Sequence, residues 1–275
     1  MNAVAQSQDE TLGQRRVFSA EGWTIREFDS VTSTNLVAAG LPAWSAVRTE
    51  TQTAGRGRFQ RKWVSDQGGL WLSAVVPTRP PNARMLPLLA GLAVCDVVRG
   101  LGFQNVRLRW PNDVMVEDRK LAGVLIDQFR PSLAVLGIGL NVNNDPACCD
   151  ASLQNQTARL AELLPAPATL EHLMLLLLQR IRALVDELNG GDARRLLARV
   201  NDLWSKGRRV ELDLDGDMRR GCFAGVDGAG NLLLQDDLGA ATAYNPEQVR
   251  HLTEIPEFYA NTIPPHDRRR GCHAY

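Results

Sequence analysis

Little in this chain marks it for a strongly charged partner. Its 275 residues carry 31 basic and 31 acidic side chains, a formal balance of zero. A protein built to grip duplex DNA shows a basic excess or a basic recognition helix, and neither is evident. Cysteine is scarce. Cys95, Cys148, Cys149, Cys222 and Cys272 form no CxxC pair and no His/Cys cluster, which argues against a disulfide framework in a chain of this size. Reduced thiols in a cytoplasmic protein are the expectation. Long apolar runs are missing as well: the opening MNAVAQSQDETLGQRR has no h-region of a signal peptide. The apolar stretch at residues 173–178 is far too short to span a bilayer. With four histidines in all, no Ser/His/Asp or Cys/His set stands out.

What is present is ordinary globular material. Hydrophobic residues make up 44% and charged residues 23%, enough for a sizeable core, and the length suits one large domain plus a small one. Residues 1–20 are polar and expected to be disordered. Alternation predicts strands at 23–28, 46–50 and 106–110, and apolar runs predict strands at 69–76, 121–128 and 132–141. Residues 111–113 read as a turn and 114–120 as a hairpin. Helical spacing covers 86–100, 157–164, 170–188 and 193–204, the first closed by Gly100 and Gly102. After Gly207 short alternating strands with tight turns predict a small all-β barrel. The large domain is therefore set at 21–205, the barrel at 206–255, and residues 256–275, with Arg268-Arg269-Arg270, at a disordered, solvated tail.

Three segments carry chemistry. In Gln52-Thr53-Ala54-Gly55-Arg56-Gly57-Arg58-Phe59-Gln60-Arg61-Lys62-Trp63, glycines let backbone N–H groups approach an anion, and arginines supply forked donors for carboxylate or phosphate. The same composition also suits a plain surface hairpin with solvated arginines. Arg109-Trp110-Pro111-Asn112-Asp113 leads to Lys120-Leu121-Ala122-Gly123. Lys120 there is either a point charge for an anion or an edge-blunting charge. In Gly137-Ile138-Gly139-Leu140-Asn141, alternating glycines mark close approach by a ligand or simply by a neighbouring element.

Taken in order, these segments resemble the biotin protein ligase family, the biotin–acetyl-CoA-carboxylase ligases. The likeness runs from about Trp23 to Ile255. It is carried by Thr32-Ser33-Thr34-Asn35, QTAGRGR at 52–58, WPNDV at 110–114, KLAGVL at 120–125 and GIGLNV at 137–142. RRVEL at 208–212 and GVDGAGNLLL at 225–234 are similar to the family's small C-terminal barrel.

The resemblance implies an α+β fold: a mixed sheet flanked by helices, like the catalytic domain of class II synthetases, followed by an SH3-like barrel. It implies that biotin and ATP, with Mg2+, form biotinyl-5′-AMP, and that biotin then passes to a lysine of a biotin carboxyl carrier protein or domain. By motif, Ser33, Thr34, Asn35 and Gln52 contact biotin. Arg56, Gly57 and Arg58 cover its carboxylate and the adenylate phosphate. Lys120 sits beside that carboxylate and the α-phosphate, and Lys120 and Arg58 are the catalytic cations. Arg61, Trp63, Asn112, Asp113 and Asn141 belong to the nucleotide side, and no metal ligand is assigned. Such cations offset the meeting of two anions and stabilise charge on the phosphoryl oxygens. The substrate's own carboxylate is the nucleophile. Two departures stand out: Gln60 where the family usually has glycine, and Arg109 where it usually has lysine. About twenty residues precede the catalytic segment, too few for a winged helix, so neither DNA nor a membrane is an expected partner. A homodimer is left open.

Overall fold

The computed structural model describes residues 13–79, 82–164, 168–204 and 207–255. The expected tail, residues 256–275, and residues 1–12 lie outside these. The chain divides into two compact units, Met1–Trp204 and Ser205–Tyr275.

The first unit is built on an eight-stranded mixed sheet. Its strands are β1 (Gln14–Ala20), β2 (Trp23–Val31), β3 (Ser45–Gln52), β4 (Leu70–Pro77), β5 (Val106–Arg109), β6 (Asp113–Val116), β7 (Arg119–Arg130) and β8 (Leu133–Leu140). They run in the order β1-β2-β3-β4-β8-β7-β6-β5. Among the described strands only β2 and β3 pair in parallel, and the short helix α1 (Thr34–Ala38) lies in their crossover. The central β4 and β8 are apolar because the sheet is covered: Leu70, Trp71, Leu72, Ala74, Val75 and Val76 are all fully buried. Three further helices are α2 (Leu86–Gly100), α3 (Leu170–Asn189) and α4 (Ala193–Leu203). On α3, residues Leu173, Leu177, Ile181, Leu184 and Leu188 recur at the helical repeat and are buried. Asp96 of α2 ties the layer together, its Oδ2 lying 2.7 Å from Arg180 Nε and 2.6 Å from Arg199 NH2.

The second unit is a five-stranded antiparallel sheet. It contains β9 (Arg209–Leu214), β10 (Asp217–Val226), β11 (Leu232–Gln235), β12 (Ala241–Tyr244) and β13 (His251–Glu254), in the order β12-β11-β10-β9-β13. Val210, Leu212, Phe223 and Leu232 form its buried face.

Two expectations are corrected. Residues 1–20 do not fray throughout, since Gln14–Ala20 pairs with β2 as an antiparallel edge strand. Its mostly exposed side chains hide it from a periodicity reading, because an edge strand is held by main-chain bonds. Residues 157–164 are not a helix either. Lys120 N donates to Gln156 O (2.8 Å) and Ala158 N to Lys120 O (2.9 Å). These bonds fix Thr157 as a bridge beside β7 and leave one short 3-10 turn, Leu160–Glu162.

Candidate functional site

The site grows from one row across the sheet. Asp113 of β6 pairs with Gly123 of β7, and Gly123 pairs with Gly139 of β8. Residues directly opposite in a ladder share a face, so the row offers one carboxylate and two patches of bare backbone. The ring of Trp63 lies on those patches. A Cβ at Gly139 would stand 2.4 Å from Trp63 Nε1, and one at Gly123 would stand 2.9 Å from the ring. These glycines are therefore required by a close approach within the protein.

Strict alternation from Gly123 would turn Lys120 to the opposite face. The register slips between Val114 and Met115, where Met115 pairs with Lys120 and Leu121 is left over. This bulge re-aims Lys120 onto the row. Its Nζ reaches Asp113 Oδ1 at 2.6 Å and sits 4.9 Å from the Trp63 ring centroid, a cation–π distance. Arg109 NH2 holds the other carboxylate oxygen at 2.7 Å. Burial alone would raise the Asp113 carboxyl; Lys120 and Arg109 outweigh it and hold the group below the usual carboxylate range. Burial lowers Arg58 to about 10, with Asp113 opposing the shift and Arg61 adding to it, so Arg58 stays cationic at neutral pH. Lys120 and Arg109 thus grip one carboxylate, whose charge also acts on Arg58.

The Gly/Arg segment folds as a hairpin above the row. Trp63 N donates to Gly55 O at 2.9 Å, Gly57 N to Arg61 O at 2.7 Å, and Arg61 N to Arg58 O at 3.2 Å. Phe59 (φ 55°) and Gln60 (φ 59°) both occupy the left-handed region, the signature of a type I′ hairpin turn, for which Asn-Gly is the favoured pair. Gln60 is thus a side chain in a glycine-favouring conformation. Gly57 meets nothing closer than 3.6 Å at its would-be Cβ, so space does not demand glycine there.

A polar chain runs from the base of this hairpin along α1. Gln52 Nε2 donates to Ser65 Oγ (2.9 Å), while its Oε1 accepts from Thr34 N (2.9 Å) and Thr34 Oγ1 (3.1 Å). Ser73 Oγ lies 2.7 Å from Thr34 Oγ1 and 2.6 Å from Asn35 Oδ1. Asn35 Oδ1 carries no proton, so Ser73 donates to it. Asn35 Nδ2 then donates to Asp127 Oδ2 at 2.9 Å, and Arg56 NH2 stands 3.7 Å from that same oxygen. Gly137, two residues before Gly139, makes room: its Cβ would stand 2.3 Å from Asn35 Oδ1.

The structure therefore brings Trp63, Asp113 and Lys120 together, sets Arg58 at the turn of the hairpin that Trp63 closes, and joins Thr34, Asn35, Gln52 and Arg56 through the neighbouring chain. Ser33 is the buried N-cap of α1 and makes no side-chain cap bond. Arg61 contributes its carbonyl to the hairpin. Asn112 Nδ2 donates to Val124 O at 2.7 Å. Asn141 is buried, donating to Ala158 O at 3.2 Å and accepting from Asn144 Nδ2 at 3.2 Å. The last two amides thus brace the frame. Sequence reasoning missed Ser73 and Asp127. Their signal was present in a lone hydroxyl inside GLWLSAVV and a lone carboxylate ending KLAGVLID. Among the described residues no cluster of three or more His, Cys, Asp or Glu could hold a metal ion, and no helix is long and apolar enough to cross a membrane.

Fold and site together define an α+β domain that focuses positive charge on one face of a mixed sheet beneath a basic hairpin. Residues 26–143 match the biotin/lipoate A/B protein ligase family. The bifunctional ligase/repressor BirA of Bacillus subtilis is 26% identical over 257 residues, spanning 86% of this chain and 74% of that protein. The biotin–[acetyl-CoA-carboxylase] ligase of Mycobacterium tuberculosis is 36% identical over 154 residues, half of this chain and 57% of that one. The fold is that of the biotin protein ligase from Aquifex aeolicus solved with biotin and ATP. The TM-score is 0.74 at 23% identity, over 84% of this chain and 99% of that one. Over residues 26–143 the chain is similar to the biotin/lipoate A/B protein ligase family.

Proposed function

We propose that this protein is an ATP-dependent biotin–protein ligase. The observation that carries the reading is the convergence of Lys120 and Arg109 on Asp113, beside Trp63 and under a basic hairpin that carries Arg56 and Arg58. The names of the relatives supply the acyl group, the nucleotide and the acceptor.

In the first step an oxygen of the biotin carboxylate attacks the α-phosphorus of ATP. A P–O bond forms, the bond to pyrophosphate breaks, and biotinyl-5′-AMP results. Both reactants are anions, so the barrier is largely electrostatic. Lys120 is held in advance by Asp113 and the Trp63 face, so its charge needs no reorganisation as the reaction proceeds. Arg58 and Arg56 enter from the hairpin to cover the carboxylate and phosphate, and Thr34, Asn35 and Gln52 hold the polar end of the ring system. In the second step the carrier's lysine amine attacks the acyl carbon, AMP leaves, and the amine sheds a proton. Closure by the hairpin keeps water from the mixed anhydride. Mg2+ would be held mainly by ATP phosphates and would screen the phosphate charge. The free state of Cys95, Cys148, Cys149 and Cys222 suits a reducing compartment, and we place the reaction in the cytoplasm.

The test is incubation with biotin, ATP and Mg2+ in the presence of either a biotin carboxyl carrier domain or a lipoyl domain, read by streptavidin blot. Label on the biotin carrier alone is expected. An unlabelled carrier with folded protein would remove the ligase reading.

A further inference from the structure

Asp127 stands where strand β7 leaves the sheet's apolar centre, two residues past Leu125. Its Oδ2 has two partners: Asn35 Nδ2 at 2.9 Å and Arg56 NH2 at 3.7 Å. They differ in kind. Asn35 is 3% exposed, and its amide cannot turn over, because Oδ1 is taken by Ser73 and Gly137 alone gives it space. Asp127 is thus a fixed anion, fastened from below. Arg56 is held loosely. At 3.7 Å it is an ion pair beyond hydrogen-bond length, and its Nε is buried without an acceptor. A guanidinium has five N–H donors and binds a carboxylate best in fork geometry.

A fixed anion with an under-satisfied cation has the geometry of a latch. Resting on the reading that this face takes an acyl substrate, we propose that Asp127 is a positioning residue. It tethers Arg56, and with it the hairpin, over the empty site, and releases Arg56 to the substrate carboxylate. Asp127 thereby links the hairpin to Asn35 and onward through Ser73 and Thr34 to Gln52. An ordinary structural ion pair would stabilise the fold in every state and would not distinguish empty from occupied protein.

Asp127→Asn keeps an oxygen for Asn35 and removes only the charge. Hydrogen exchange is measured at the Gly57 and Trp63 amides, whose acceptors lie within the hairpin, with the Leu72 amide of β4 as internal reference. Without ligand, the variant is expected to exchange the two hairpin amides about three- to tenfold faster than wild type, the scale of one partly exposed ion pair, with Leu72 unchanged. Asp127→Glu should restore the slow exchange. With saturating biotin and ATP, wild type and Asp127→Asn should converge, because Arg56 has then changed partners. Equal ligand-free exchange in the two proteins overturns the tether, and a difference that persists with ligand bound makes the pair merely structural and overturns the proposal. If biotin and ATP protect no hairpin amide even in wild type, the functional reading fails, while the ligand-free comparison still decides the tether. Should Asp127→Asn not fold, Arg56→Gln breaks the same pair from the hairpin side and is read by the same exchange.

Discussion

At the residue scale, Gly139 and Asp113 carry the most consequence for their size. An alanine Cβ at Gly139 would fall 2.4 Å from Trp63 Nε1 and 2.5 Å from Cε2, and a rigid indole cannot absorb that by a tilt. Gly139→Ala should therefore lift Trp63 from its bed and loosen Lys120. The expected result is a stability loss of about 1–3 kcal/mol in a urea melt, and adenylate formation at least about tenfold slower. Asp113 brings a pH dependence. Its folded pKa lies below the ordinary value near 3.9, so ionised Asp113 favours the native state. That contribution is fully present above the unfolded pKa and fades as pH falls through the folded one. Asp113→Asn should cost about 3 kcal/mol at neutral pH, since it leaves Lys120 and Arg109 facing a neutral group. Its stability should then fall less steeply than wild type in urea melts taken below about pH 4. The residue types at these positions were legible in the sequence as motifs. Their roles were less so. Gly139 offered ligand approach or packing, and the fold decides for packing against Trp63. Lys120 offered an edge charge or a site charge, and a one-residue bulge turns it onto the row with Asp113 and Trp63. A bulge is set by pairing with another strand, so nothing local announces it. Asn112 and Asn141, expected on the nucleotide side, have amides that donate to Val124 O and Ala158 O, acceptors that only the fold brings within reach.

At the element scale, periodicity served where one face of an element is buried along its length. Helix α2 begins and ends at the predicted residues, and α3 displays its leucine stripe to the core. Ile181, fully buried in the middle of that stripe, should cost about 2–5 kcal/mol on replacement by alanine, read by urea denaturation. Periodicity failed where main-chain bonds to a distant strand hold the segment, as at β1 and at Thr157. The basic hairpin falls between these cases. Its glycines and arginines were visible, but its register and its I′ turn were not, because Phe59-Gln60 is an uncommon pair for such a turn. Gln60→Gly should relieve about 1 kcal/mol of left-handed strain and slow hydrogen exchange at the Gly57 and Trp63 amides.

At the scale of the whole molecule, two units were visible in the change from mixed helical and strand patterning to short alternating strands near residue 205, and the structure divides there. The catalytic proposal rests on the first unit: positive charge concentrated on one sheet row, with Lys120 fixed in advance by Asp113 and Trp63. Biotin-dependent exchange of pyrophosphate into ATP reads the first chemical step alone, without a carrier. The account predicts exchange by the wild type and a fall of at least about a hundredfold, the effect of losing one preorganised charge donor, in folded Lys120→Ala. Exchange at the wild-type rate in that variant would contradict it.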